Sequence, residues 1–196
     1  MDTSLKIEET ALLLVHLQPD VIEAGTAFGN LFAPEATRKA VVAQANRAAK
    51  SIRSSGGTVV AIRIAFFPDG RDLSPSIPLL RMAKEAGVLI DGTKNADFVS
   101  ELELSSEDLL LKHHRPGPFT GTALETLLRD RNIRNVIVGG VATNASVEST
   151  MRQSSDLGFN TYILTDVSSA ADEASHEAAL ASMDLFAVRI TLDDIG

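Results

Sequence analysis

Six short apolar runs without polar alternation punctuate the chain, and stretches of helical pattern separate them. Ala11 to Leu17 reads ALLLVHL and Thr58 to Ala65 reads TVVAIRIA; Leu109 to His113, Asn135 to Val138, Asn160 to Leu164 and Phe186 to Thr191 are similar. A strand covered on both faces has no reason to alternate, so such runs point to a parallel sheet buried between helices. The expected fold is therefore α/β: a three-layer α/β/α sandwich around a six-stranded, mostly parallel, Rossmann-like sheet.

The intervening segments carry helix signals. Pro34 to Ser55 has Pro in the expected first turn, an Ala-rich middle and Gly56-Gly57 as a stop. Thr122 and Glu125 form a capping-box pattern before LETLLRDR, Asn144 is the expected N-cap of a helix running to Leu157, and a last helix covers Glu173 to Met183. Phe66 to Pro78 (FFPDGRDLSPSIP) holds three prolines and reads as an extended loop leaving the C-terminal end of the second strand, where open α/β sheets bind ligands. Val88 to Ser106 reads as an excursion with short elements.

Composition narrows the function. At 196 residues and 44% apolar content the chain suits one domain, residues 1–196, around a single core. Its formal net charge of −8 repels phosphate backbones and anionic headgroups, so neither nucleic acid nor membrane is an expected partner. The apolar run near the start is too short for a membrane span, and a cytoplasmic protein is expected. With no Cys there is no thiol nucleophile and no thiolate metal site.

Three segments carry a family resemblance. VGGVATNASVESTMRQSSDLGFNTYILTDVSSA resembles the signature of the isochorismatase-like hydrolases, G-V-A-T-N-x-C-V-E-S-T followed by a D-L-G turn. LLLVHLQPDVI resembles that family's first strand, V-x-D-x-Q-x-D, and HHRPGPFTGTALETLL resembles its K-x-R-x-S-A-F-x-G-T-x-L. They occur in the expected order, so the resemblance spans the chain. It implies a cis peptide at Val141-Ala142.

The family's usual site is an Asp, a Lys and a Cys, and this chain matches none of the three. His16 stands at the Asp position, with Gln18 and Asp20 keeping the flanking pattern, and Ser146 stands at the Cys position. Counting from Phe119 and from Asp108 puts His113 at the Lys position; a one-residue slip would put Lys112 there, because adjacent strand residues face opposite ways. The expected constellation is His16, His113 and Ser146.

Two imidazoles can divide general-base and general-acid work, and a serine hydroxyl needs such a base to become a nucleophile. Asp20 is the nearest candidate for an orienting acid. Acid/base work by either histidine predicts a rate limb around pH 6 to 7. Backbone N–H groups near Ala142 and Ser146 offer a site for a carboxylate or oxyanion. Gln18, Phe28, Phe66, Phe67, Arg71, Phe119 and Asn144 are further candidates around the substrate, Arg71 suggesting a carboxylate.

His114 and His176 read as surface or interface residues. The family's metal-binding members carry an Asp-x-His where this chain reads IAFFPDG, so neither metal nor cofactor is expected. The resemblance thus implies a non-thiol hydrolase of a small carboxylated or amide-bearing metabolite, expected to be a homo-oligomer. The alternative is a catalytically inactive member that binds a small anion or acts as an interaction protein.

Overall fold

A computed structural model describes residues 5–195. Its strands are β1 (Thr10–Val15), β2 (Thr58–Ile64), β3 (Leu109–His113), β4 (Asn135–Val141), β5 (Asn160–Ser169) and β6 (Val188–Ile190). They form one sheet in the order β3-β2-β1-β4-β5-β6, and every pairing is parallel, where the sequence led us to expect a mostly parallel one. This is the doubly wound order in which the chain reverses direction across the sheet between β1 and β4. The crevice at that reversal is where the site lies.

All six residues of β1 are buried, which explains its unbroken apolar character. Leu12 and Leu14 join one hydrophobic cluster, while Ala11, Leu13 and Val15 join the other, so successive side chains serve opposite faces. Each buried Leu contributes roughly 1.5–3 kcal/mol by leaving water. On the first face, α3 (Val41–Ser54) packs Ala45, Ala48, Ala49 and Ile52 against the sheet. On the second, α5 (Leu124–Asp130), α6 (Glu148–Asp156) and α7 (Glu173–Met183) supply Leu124, Leu128, Met151, Leu180 and Met183.

Several local expectations are corrected. The helix expected over Pro34 to Ser55 is two helices, α2 (Gly29–Arg38) and α3, broken at Ala40, whose φ of 49° is left-handed. Pro34 lies inside α2 rather than in its opening turn, because the helix starts at Gly29, whose N–H donates to Thr26 Oγ1 at 2.9 Å. The capping box at Thr122 does not form: its hydroxyl accepts from Leu124 N–H at 3.2 Å and donates to the Pro118 carbonyl. Asn144 caps no helix; it sits inside a π-helical turn, Thr143–Val147, that precedes α6. Two further helices, α1 (Pro19–Ile22) and α4 (Pro78–Ala86), frame the crevice. No helix among the described residues is long and apolar enough to cross a membrane.

Candidate active site

His16 is the first residue beyond β1, and its φ of 56° turns the chain out of the strand there. Its N–H still donates to the Ile62 carbonyl at 2.9 Å, which holds the turn against β2. His113 ends β3 and is paired in register with Ile64 of β2. The two imidazoles meet with Nε2 atoms 2.6 Å apart, ring centroids 4.9 Å apart and planes inclined by 26°. Lys112 points elsewhere: its ammonium donates to Asp91 Oδ2 at 2.6 Å, where Arg63 also binds, and its side chain is 42% exposed.

A separation of 2.6 Å between two ring nitrogens requires one proton between them, one ring donating and the other accepting. A further proton on the pair would bury a positive charge in an apolar interior. Burial, and then the His113 ring, holds His16 well below the ordinary imidazole value. Burial, and then the neighbouring His114, pushes His113 down to about 3, against an opposing effect of the Arg115 backbone. Both rings therefore titrate below the pH 6 to 7 at which an ordinary imidazole would, because both are buried and His113 further discourages charge on His16. His113 Nδ1 is buried with no hydrogen-bond partner.

The π-helical turn delivers Ser146 to the same place. The Val141-Ala142 peptide is cis, and the Ala142 carbonyl accepts from both Ala145 and Val147 N–H at 3.1 Å. Ser146 and His16 line one cavity of about 40 Å³, whose other walls are apolar and include Phe28, Ala142, Leu80 and Leu89. No hydrogen bond joins the Ser146 hydroxyl to either imidazole. β4 approaches β1 so closely here that a Cβ on Gly140, with φ of 131°, would stand 2.1 Å from the Val15 carbonyl oxygen. Only glycine lets the two site-bearing strand ends lie this near.

The remaining candidates separate cleanly. Phe28 and Ala142 line the cavity. Gln18 does not; it is buried and clamps neighbouring backbone, donating to the Ile64 and Ala96 carbonyls and accepting from Ile64 N–H. Asp20 is no orienting acid for a histidine, since its Oδ2 accepts from Leu89 N–H at 2.7 Å and secures that loop instead. Phe119 packs on Phe159, with centroids 6.2 Å apart, in the second hydrophobic cluster. Asn144 is exposed. Arg71 is also away from the cavity, 67% exposed, stacked on the half-exposed Phe67 and facing Asp69 at 3.6 Å. A loop so rich in acidic neighbours holds the guanidinium on the surface.

His176, expected at the surface or an interface, is buried within the chain itself. Its Nε2 lies 2.9 Å from Lys39 Nζ and its Nδ1 lies 2.8 Å from Thr143 Oγ1. An ammonium can only donate, so Nε2 accepts, and Nδ1–H donates to Thr143 at the head of the π-helical turn. Glu173, His176 and Glu177 bring potential ligand atoms within 4.8 Å of one another. Both His176 nitrogens are nevertheless engaged, which leaves no lone pair there for a metal. The apolar walls contributed by α4 were not anticipated, although PLLRMA carries the spacing of a helix with a buried face.

The model of the Isochorismatase domain matches residues 10–194. The chain belongs to the isochorismatase family. Among family relatives, the isochorismatase family protein YwoC of Bacillus subtilis (strain 168) is 27% identical over 177 residues, covering 90% of this chain and 86% of that protein. The ureidoacrylate amidohydrolase RutB of Pseudomonas syringae pv. syringae is 28% identical over 200 residues, covering 93% and 80%. A crystal structure of a cysteine hydrolase from Pseudomonas syringae pv. phaseolicola superposes with a TM-score of 0.87 at 20% identity, covering 98% of this chain and 92% of that one. At that identity the likeness is one of fold, and this family member has no cysteine to act in the same way.

Proposed function

We propose that this isochorismatase-family chain hydrolyses a small amide-bearing metabolite without a thiol, with His16 and His113 handling the proton and Ser146 beside them. The observation that carries the reading is the imidazole pair, 2.6 Å apart, one member of which lines the cavity that Ser146 also lines. The amide arm of the reading is supported by the likeness to an amidohydrolase; the carboxylate arm loses its warrant with Arg71 outside the cavity.

Chemically, His16 Nε2 is taken up by His113, so Nδ1 is the atom left to act. With Nε2–H donated to His113, Nδ1 presents a lone pair, and His113 orients the ring as an acid would in a hydrolytic triad. His16 Nδ1 removes a proton from a water as the water oxygen bonds to the amide carbon. The backbone around Ala142 and Ser146 faces the carbonyl oxygen as it gains charge. The proton on His16 passes to the amide nitrogen as the C–N bond breaks, leaving an acid and an amine. Water is preferred to Ser146 as attacking group because no hydrogen bond ties that hydroxyl to either ring. Low pKa values leave both rings uncharged at neutral pH, so His16 is a weak base that acts through its position beside the water.

A second reading is a non-catalytic member that binds a small molecule. It is favoured by the unpartnered His113 Nδ1, since the opposite tautomer, with His113 donating and His16 Nδ1–H facing the cavity, would avoid burying an orphaned N–H. Purified protein incubated with a panel of primary amides and with isochorismate, beside a His16→Ala control, separates the two. Ammonia released by the wild type and not by the control supports hydrolysis; no turnover of any compound supports the binding role.

A further inference from the structure

We infer that the cavity takes a short, uncharged, apolar acyl group and discriminates against one that carries a carboxylate. This rests on the proposed hydrolase reading for the fate of the ligand, and on the cavity walls alone for its binding.

Ten of the twelve residues lining the cavity are apolar; the exceptions are His16 and Ser146. Neither supplies positive charge, because burial and the His113 ring keep His16 neutral. Arg81 and Lys84 on α4 are exposed, and neither lines the cavity; four further cations in the surrounding loops and strands are engaged elsewhere. Arg63 and Lys112 both bind Asp91, Arg71 faces Asp69, and Arg115 donates to the Asp72 and His114 carbonyls at 2.7 Å. None of them lines the cavity.

The buried acid behind the cavity walls offers an anion no attraction. Asp20 is buried beside Val21, and its carboxylate is bonded to the backbone of Leu89; Val21 and Leu89 are both walls of the cavity. A carboxylate brought inside would lose its water and meet no counter-ion among the lining residues. An uncharged amide loses far less. Its carbonyl and nitrogen can meet His16, Ser146 and the backbone near Ala142, while its chain meets Phe28, Ile64 and Leu80.

Size narrows the class further. About 40 Å³ is room for roughly three water-sized groups, which suits a short aliphatic chain rather than a ring. Phe32 and Leu79 are half-buried walls at the rim, so a substitution there changes the lining with little disturbance of the core.

The test compares butyramide with succinamate, which has the same carbon count and adds a terminal carboxylate. Affinity is read by ligand-observed NMR titration, and ammonia release is read separately. The wild type is expected to bind butyramide at least tenfold more tightly than succinamate. From acetamide to butyramide each added methylene should improve affinity by up to about fourfold, until the cavity is full. Leu79→Arg should narrow or reverse the preference for butyramide; should that variant not fold, the wild-type comparison decides alone. Succinamate bound as tightly as butyramide, or no uncharged amide bound at millimolar concentration, would overturn the inference. Butyramide binding without ammonia release would leave it standing and contradict the hydrolase reading. Ammonia released preferentially from succinamate would do the reverse.

Discussion

His16 and His113 lie on opposite sides of β2, at the ends of β1 and β3, and their Nε2 atoms are 2.6 Å apart across it. Burial keeps both rings neutral, each with one proton, one of which lies between the two Nε2 atoms. Of the four histidines in the chain, these two should keep neutral nitrogen chemical shifts from about pH 8 down to about pH 5. A two-dimensional ¹⁵N spectrum of the imidazoles recorded across that range checks this. Titration of either ring near its ordinary value of about 6.5 would contradict it.

The same burial makes stability depend on pH. In the unfolded chain an imidazole takes up a proton below about 6.5, whereas folded His113 does so only near about 3. Between those values the unfolded state holds more protons, so stability rises with pH and is lost as pH falls through that window. At pH 5 the loss from His113 alone should be on the order of 2 kcal/mol. Urea unfolding at pH 7.5 and pH 5 measures it, and His113→Leu should flatten the difference. An unchanged wild-type midpoint would mean that the ring is charged or solvated in the folded protein.

Gly140→Ala tests how closely β4 must approach β1. The added methyl would stand 2.1 Å from the Val15 carbonyl oxygen, at a φ of 131° that side chains rarely adopt. A loss of about 3 kcal/mol or more is expected, seen as a large drop in melting temperature. A variant within 0.5 kcal/mol of the wild type, on the order of an ordinary surface substitution, would show that the strand ends can separate freely.

The fold was legible because burial on both faces leaves a mark that needs no partner to read: β1 appears in the sequence as an apolar run and is buried throughout. β3 has the expected bounds, but as the edge strand it is covered on one face only, with Leu110 62% exposed. The facing of His113 was legible by counting, since a strand's period of two leaves only one alternative. Arg71 was not, because its placement depends on Asp69 and Phe67 in a loop with no period. His176 was missed for a related reason. A lone histidine on a late helix gives no sign that Lys39 and Thr143 will meet both its nitrogens from 137 and 33 residues away. The apolar character of the cavity was hidden because its walls come from α4 and the segments around it, where the sequence shows only scattered Leu and Phe.

Assembly offers a separate check. Leu185 is 82% exposed and Val188 is 59% exposed, beside the half-exposed Phe186, at the β6 edge of the sheet. An apolar cluster at an open edge favours association, and light scattering at micromolar concentration should give a mass above that of one 20.9 kDa chain. Leu185→Lys combined with Val188→Lys should lower that mass if this edge is the contact. A wild-type mass near 20.9 kDa would count against an oligomer.

The most direct test of the non-thiol account compares His16→Asn with Ser146→Ala on whichever amide the wild type hydrolyses. General-base catalysis by His16 contributes about 10²–10⁴-fold. His16→Asn should therefore lower kcat/KM at least a hundredfold, and Ser146→Ala, whose hydroxyl is bonded to neither imidazole, should lower it less than tenfold. A loss of several orders of magnitude in Ser146→Ala, with an acyl-enzyme trapped in the wild type, would make Ser146 the nucleophile and contradict the water-based route.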